Sequence, residues 1–194
     1  MGSPLGPGEQ GRVDAVETCF IPSSKEVQNS TVCQETHSDH FFGDSKGLLL
    51  IDYLPPKTTM NGQYYASLLL KLRDAIQEKR RGMLMRGVWL LHDDNAPIHK
   101  SMIAQQAVRD CGFVQLDHPA YSDYSPDLAP SDYFLFRNLK SHLRGVRYPD
   151  EEALKEAIKE WLEEQIEEFY FSGIKSLPEK CRKCIELSGD YIEK

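Results

Sequence analysis

Val88-Trp89-Leu90-Leu91-His92-Asp93-Asp94-Asn95-Ala96-Pro97 is an apolar run that ends in acid. Consecutive bulky apolar residues read as a buried strand, and the polar turn after them marks its C-terminal end. A second acidic turn follows downstream, Tyr124-Ser125-Pro126-Asp127-Leu128-Ala129-Pro130-Ser131-Asp132-Tyr133. Ser131 is suited to cap a helix, with Asp132 in its first turn. Carboxylates at the end of a strand and the start of a helix can converge on one divalent cation. Mg²⁺ takes such oxygens while keeping positions for water and phosphate, so the pair suits a nuclease or transferase. Taken singly, each has a plainer role. Asp132 would be a favourable charge at a helix N-terminus, worth about 0.3–1 kcal/mol, and Asp93 and Asp94 would be turn residues.

Strands and helices alternate outward from this stretch. Gly47 to Leu54 reads as an apolar strand stopped by Pro55-Pro56. Asn61 can cap a helix to about Arg80, with Tyr65, Leu68, Leu69, Leu72 and Ile76 on one face. A helix from Pro97 to Asp110 is closed by Cys111-Gly112, and Phe113-Val114-Gln115-Leu116 forms the next strand. From Ser131 onward the pattern is helical. Ala153, Leu154, Ala157, Ile158, Trp161 and Leu162 repeat at a period of 3.6, and a last helix follows Pro178. The class is α/β with a helical C-terminal half.

Composition narrows the possibilities. With 40% hydrophobic and 27% charged residues in 194, one main domain is the natural expectation. No apolar run approaches the ~20 residues of a membrane span, and the N-terminus has no signal-peptide pattern, so an intracellular location is expected. Five cysteines without a framework suit a reducing compartment. Cys181-Arg-Lys-Cys184 lacks the further ligands a zinc site needs. The net charge of −7 is uneven: residues 1–42 carry −4, 43–149 carry +3 and 150–194 carry −6. The basic region holds the acidic turns. Its cations fall in two clusters, Lys71, Arg73, Lys79, Arg80, Arg81 and Arg86, then Arg137, Lys140, Arg144 and Arg147. Such patches beside a metal site are what a phosphate backbone requires, although solvated helix faces look the same. We take Lys79, Arg80, Arg81, Arg137, Lys140 and Arg144 as the candidate DNA contacts.

The two acidic motifs, together with the stretch from Gly43 through Gly47-Leu48-Leu49-Leu50-Ile51-Asp52-Tyr53 and the closing Gly189-Asp190-Tyr191, resemble the catalytic domain of mariner-family DNA transposases. The likeness covers about three quarters of the chain. It implies a ribonuclease-H-like fold that cuts and joins DNA with two metal ions, Mg²⁺ or Mn²⁺, held by three Asp. It also implies a dimer and, through the DNA substrate, a nuclear location. Asp132 and either Asp93 or Asp94 match the second and third family ligands, with His92 and Asn95 as supporting groups.

The chain departs from the family pattern in three ways. Asp94 and Asp132 enclose 37 residues, where the family keeps thirty-four, and removing Ser122-Asp123-Tyr124 restores that count. The first turn has one Asp too many; Asp93 and Asp94 point in different directions, so only one can be the ligand, and both stay open. The first Asp of the family, on the opening strand of the sheet, has no counterpart upstream of Gly47. Residues 1–42 read as an unrelated, disordered segment rich in turn formers. Within it only Val16 to Ile21 suggests a short strand, and His37, Asp39 and His40 read as parts of a polar tail. The expected domain is therefore residues 43–194, a ribonuclease-H-like fold truncated at its N-terminal strands. Losing the central strand would expose two backbone edges. Either residues 1–42 or a partner supplies a replacement, or the chain is only marginally folded, and the last is the expectation. Asp44 reads as a hairpin-turn residue and Asp127 as a loop residue bonding its own backbone. Two functions follow: an impaired remnant of a cut-and-paste transposase, or a non-catalytic DNA-binding or protein-interaction module derived from one.

Overall fold

The computed structural model describes residues 30–35, 39–55, 57–92, 97–116 and 128–187. Five strands, β1 (Ser30–Glu35), β2 (Asp39–Asp44), β3 (Gly47–Tyr53), β4 (Val88–His92) and β5 (Phe113–Leu116), form one sheet in the order β3-β2-β1-β4-β5. The central strand runs antiparallel to β2, with Gln34 opposite Phe41 and Glu35 opposite His40. On its other side it runs parallel to β4, with Ser30 opposite Trp89 and Cys33 opposite His92. β3 continues antiparallel to β2 and β5 parallel to β4. This is the ribonuclease-H-like α/β arrangement.

A segment within residues 1–42, Ser30–Glu35, thus occupies the central position where the missing strand was expected. Ser30-Thr31-Val32-Cys33-Gln34-Glu35 lacks the apolar run of a typical buried strand. Its place is set by two neighbouring backbones, each with N–H and C=O groups to satisfy. The boundary drawn between residues 42 and 43 falls inside β2, where Asp39 opens the strand and His40 is buried. Val16 to Ile21 and His37 lie outside the described residues.

Successive strand residues face opposite sides of the sheet, and both sides are covered. Phe42, Leu49, Val88, Leu90 and Phe113 pack on one face against helices α1 (Gly62–Lys79) and α3 (Met102–Cys111). The short α2 (Met83–Arg86) lies between these two helices in sequence. As expected, Asn61 caps α1, its side chain accepting from the Tyr64 N–H at 2.9 Å. The buried stripe is the expected Tyr65, Leu68, Leu69, Leu72 and Ile76, each worth about 1.5–3 kcal/mol of burial. The helix expected from Pro97 is broken in two. A 3₁₀ turn, Pro97–Lys100, precedes α3 because Ser101 adopts an extended backbone and caps α3 by accepting from the Ala104 N–H at 3.2 Å. Gly112, at φ +72°, closes α3 in a left-handed conformation that glycine adopts without steric cost.

The opposite face carries the C-terminal helices. A π-helical segment, Ser131–Phe136, runs into α4 (Arg137–Leu143), followed by α5 (Glu151–Glu164), α6 (Glu167–Lys175) and α7 (Leu177–Glu186). Phe41, Leu48 and Ile51 meet Leu135, Leu139, Trp161, Leu162 and Tyr170. Trp89 meets Leu128, Ile174, Leu177, Cys181 and Cys184. Cys181 and Cys184 are buried in this second cluster. No described helix is long and apolar enough to cross a membrane.

A substitution confined to the central backbone tests this architecture. Val32→Pro removes a ladder donor from a strand paired on both sides. The cooperative thermal transition seen by circular dichroism is expected to disappear.

Candidate functional site

The parallel strands β1 and β4 both end on the side of the sheet where His92 sits opposite Cys33. Asp93, Asp94 and Asn95 follow His92 in sequence and lie outside the described residues. Asp132 is described. It is partly exposed in the first turn of the π-helical segment, and its backbone N–H donates to the Ala129 carbonyl at 3.0 Å. The cap differs from expectation. Pro130 occupies that position without a side-chain bond, and Ser131 is buried inside the helix, because the helical conformation already begins at Pro130.

The segment holding Asp132 is braced from behind. The Tyr133 hydroxyl donates to the Gly173 carbonyl at 2.8 Å, and the Ser176 hydroxyl donates to the Tyr133 oxygen at 3.1 Å. The Lys180 ammonium lies 4.4 Å from the Tyr133 ring centre, a favourable cation–π geometry. Gly173 lets α6 approach this segment: a Cβ there would sit 2.6 Å from Phe134 Cδ1. Interruptions in regular helical hydrogen bonding recur at functional positions, and here one carries the candidate ligand.

Register identifies which β1 position belongs to the same face as Asp132. Cross-strand partners share a face of the sheet. Gln34 is opposite Phe41, and Phe41 packs with Leu135 and with Phe136, whose ring centre is 6.2 Å away. Position 34 is therefore on the face covered by the Asp132 segment, one residue beyond the Cys33–His92 pair. Glu35 is opposite His40, whose ring lies 6.3 Å from that of Tyr64 on α1, so position 35 belongs to the other face. In the sequence, position 34 is a Gln. The face to which position 34 belongs follows from strand register and is not visible in the local sequence.

Two other carboxylates near the sheet ends are committed elsewhere. Asp44 is buried in the β2–β3 turn, as expected of a turn residue, accepting from the Lys46 N–H at 2.9 Å. It also holds the Arg80 guanidinium through two bonds, of 2.7 and 3.0 Å, a strong bidentate geometry. Asp52, opposite His40, accepts from the Lys71 ammonium at 2.6 Å and from the Tyr64 hydroxyl. Burial pushes its pKa up, but hydrogen bonds from Lys71 and Tyr64 and the Lys71 charge outweigh it, leaving the carboxyl below its ordinary value. Tyr64 is pushed up to about 12 by burial and by its bond to Asp52.

The two basic clusters, which the sequence reading set beside one site, occupy different ends of the molecule. Arg137, Lys140 and Arg144 are exposed along and just beyond α4, roughly 7 to 18 Å along the helix axis from Asp132 at 1.5 Å per residue. Lys79, Arg80 and Arg81 close α1 at the opposite end of the sheet, next to the β2–β3 turn. Arg80 is tied to Asp44, and the Lys79 ammonium donates to the Leu49 carbonyl at 2.9 Å. Of these three, Arg81 offers an exposed charge uncommitted to either bond. Among the described residues no group of three or more His, Cys, Asp or Glu is placed to hold a metal.

The bracing of Asp132 is open to direct test. Gly173→Ala forces the α6 backbone or the Phe134 ring to move, and overpacking of this kind costs about 1–3 kcal/mol. Urea unfolding is expected to show a loss in that range.

Comparison with known proteins places this geometry in a family. A profile described as Transposase (partial DDE domain) matches residues 24–86, a span that includes β1. The mariner Mos1 transposase of Drosophila mauritiana is 36% identical over 152 residues, covering 77% of this chain and 43% of that protein. The histone-lysine N-methyltransferase SETMAR of Homo sapiens is 31% identical over 148 residues, covering 76% of this chain and 21% of that protein. The chain thus spans less than half the length of these curated relatives. The crystal structure of the catalytic domain of Mos1 mariner transposase superposes with a TM-score of 0.82 at 29% identity, covering 100% of both chains. The Mos1 mariner paired end complex with Mn superposes with a TM-score of 0.80 at 25% identity, covering 98% of this chain and 65% of that one. Sheet order, acidic motifs and these likenesses agree, and the chain belongs to the mariner family of transposases, matching their catalytic domain.

Proposed function

We propose that this chain is a remnant of a cut-and-paste DNA transposase, one that keeps the scaffold and DNA affinity of its family but is impaired in strand cleavage and transfer. The observation that carries this reading is Gln34 at the position of β1 on the Asp132 face. Two-metal phosphodiester chemistry needs carboxylates that together neutralise and space the ions. An amide oxygen is neutral and binds a hard cation more weakly than a carboxylate does. Asp132 with Asp93 or Asp94 would remain to hold a single Mg²⁺ or Mn²⁺. Bound there, such an ion would polarise a phosphodiester. The contribution of the chain itself is to fix Asp132 on its braced helix and to present cations to the DNA backbone.

The exposed Arg137, Lys140 and Arg144 favour a second reading, a non-catalytic DNA-binding module derived from the transposase. Both readings give DNA retention that weakens steeply with salt. Both place the protein in the nucleus, and pairing of two copies on DNA is the assembly we propose by analogy with the Mos1 paired end complex. They differ in what a restored carboxylate would do.

Nicking of supercoiled plasmid in Mn²⁺ separates the two. Under the remnant reading Gln34→Asp raises nicking at least about tenfold, a gain of 1.36 kcal/mol in transition-state stabilisation. Adding Asp132→Ala returns it to background. If Gln34→Asp leaves nicking at background while DNA retention persists, the binding-module reading stands. Strong nicking by the unaltered chain would show that no carboxylate is lacking.

A further inference from the structure

The end of the sheet opposite His92 holds a cavity of about 200 Å³. Its walls come from three places in the chain. The β2–β3 turn supplies Asp44 and Lys46, the end of α1 supplies Lys79, Arg80 and Arg81, and α2 supplies Arg86. Five cations thus surround one carboxylate. The bidentate Asp44–Arg80 pair, with Asp44 buried, fixes the floor, and the Lys79 bond to the Leu49 carbonyl fixes one side. Lys46, Arg81 and Arg86 remain exposed at the rim.

A cation at a helix C-terminus needs no ligand to explain it, because it complements the helix dipole. That accounts for Lys79 and Arg80 at the end of α1. It covers Arg86 in the last turn of α2 as well, but not Lys46 on the turn or Arg81 beyond the α1 cap. Like charges converging on one concavity repel each other unless an anion joins them, and a cleft lined by one sign focuses its field on such an anion. Guanidinium groups match phosphate oxygens in shape as well as charge.

We propose that this cavity is a second DNA-backbone site, taking a phosphodiester group through Lys46, Arg81 and Arg86. It rests on the transposase-derived reading above and adds a contact surface away from the cleavage side. From His40 to Asp44 strand β2 spans roughly 13 Å at 3.3 Å per residue, so DNA held here leaves the Asp132 end free. The molecule would then grip DNA at two places, along α4 and at this cavity.

The test is the salt dependence of binding of the full chain to a short duplex, followed by fluorescence anisotropy. Each phosphate contact contributes about 0.9 to the slope of log K against log salt. The triple variant Lys46→Ala, Arg81→Ala, Arg86→Ala is expected to lower the slope by about 2 to 3. A matched loss of charge elsewhere, Arg73→Ala, Lys100→Ala, Arg109→Ala, is expected to change it by less than about 1. Circular dichroism confirms that each variant is folded, and Arg81→Glu alone, expected to weaken binding at least threefold, serves if the triple variant is not. An unchanged slope, or equal losses in both triple variants, overturns the cavity site while DNA retention by the unaltered chain leaves the broader reading standing. No retention by the unaltered chain overturns both.

Discussion

The fold depends on hydrogen bonding to both edges of one short strand. β2 and β4 each present a row of backbone donors and acceptors toward the centre of the sheet, and leaving them unpaired is costly and invites association with other chains. Ser30–Glu35 satisfies both rows at once. Only then can apolar side chains of the neighbouring strands be covered from both sides, by α1 and α3 on one face and the C-terminal helices on the other. Everything that positions Asp132 is built on that second layer.

Scaffold and chemistry make different demands on the same strand. Completing the sheet needs backbone groups in the right register and is tolerant of side-chain identity. Building a metal centre needs a carboxylate at one defined position. The backbone of Ser30–Glu35 meets the first demand, paired in register on both sides. A shift of a single residue would exchange the two faces. A completed family scaffold therefore does not by itself guarantee a complete metal centre. The charges show a similar division: exposed cations survive at both ends, while Arg80 has become part of the structure through Asp44.

Much of the architecture was legible in the residues. The α1 stripe, the Asn61 cap, the strand leading into Asp93 and the Gly112 stop all rest on local patterns of spacing and backbone preference, and all are found. β1 was not legible, because nothing local distinguishes its polar sequence from a loop; its neighbours select it through contacts distant in sequence. Ser101 was missed for a related reason: a Ser inside an apolar helical pattern gives no sign that it will cap rather than continue. The ends of the sheet at which the two basic clusters would lie depended on strand direction, which the sequence of α1 does not encode. The start of the helical segment at Asp132 was legible because motif and helix start coincide, whereas the face of position 34 depends on register alone.

Residue-resolved amide hydrogen exchange on the intact chain tests the central claim most directly. If Ser30–Glu35 is the central strand, the amides of Thr31 to Gln34 exchange as slowly as those of Val88 to Leu90 and only through global unfolding. Exchange of Thr31 to Gln34 at the rate of an unstructured peptide, while β4 stays protected, would contradict the account.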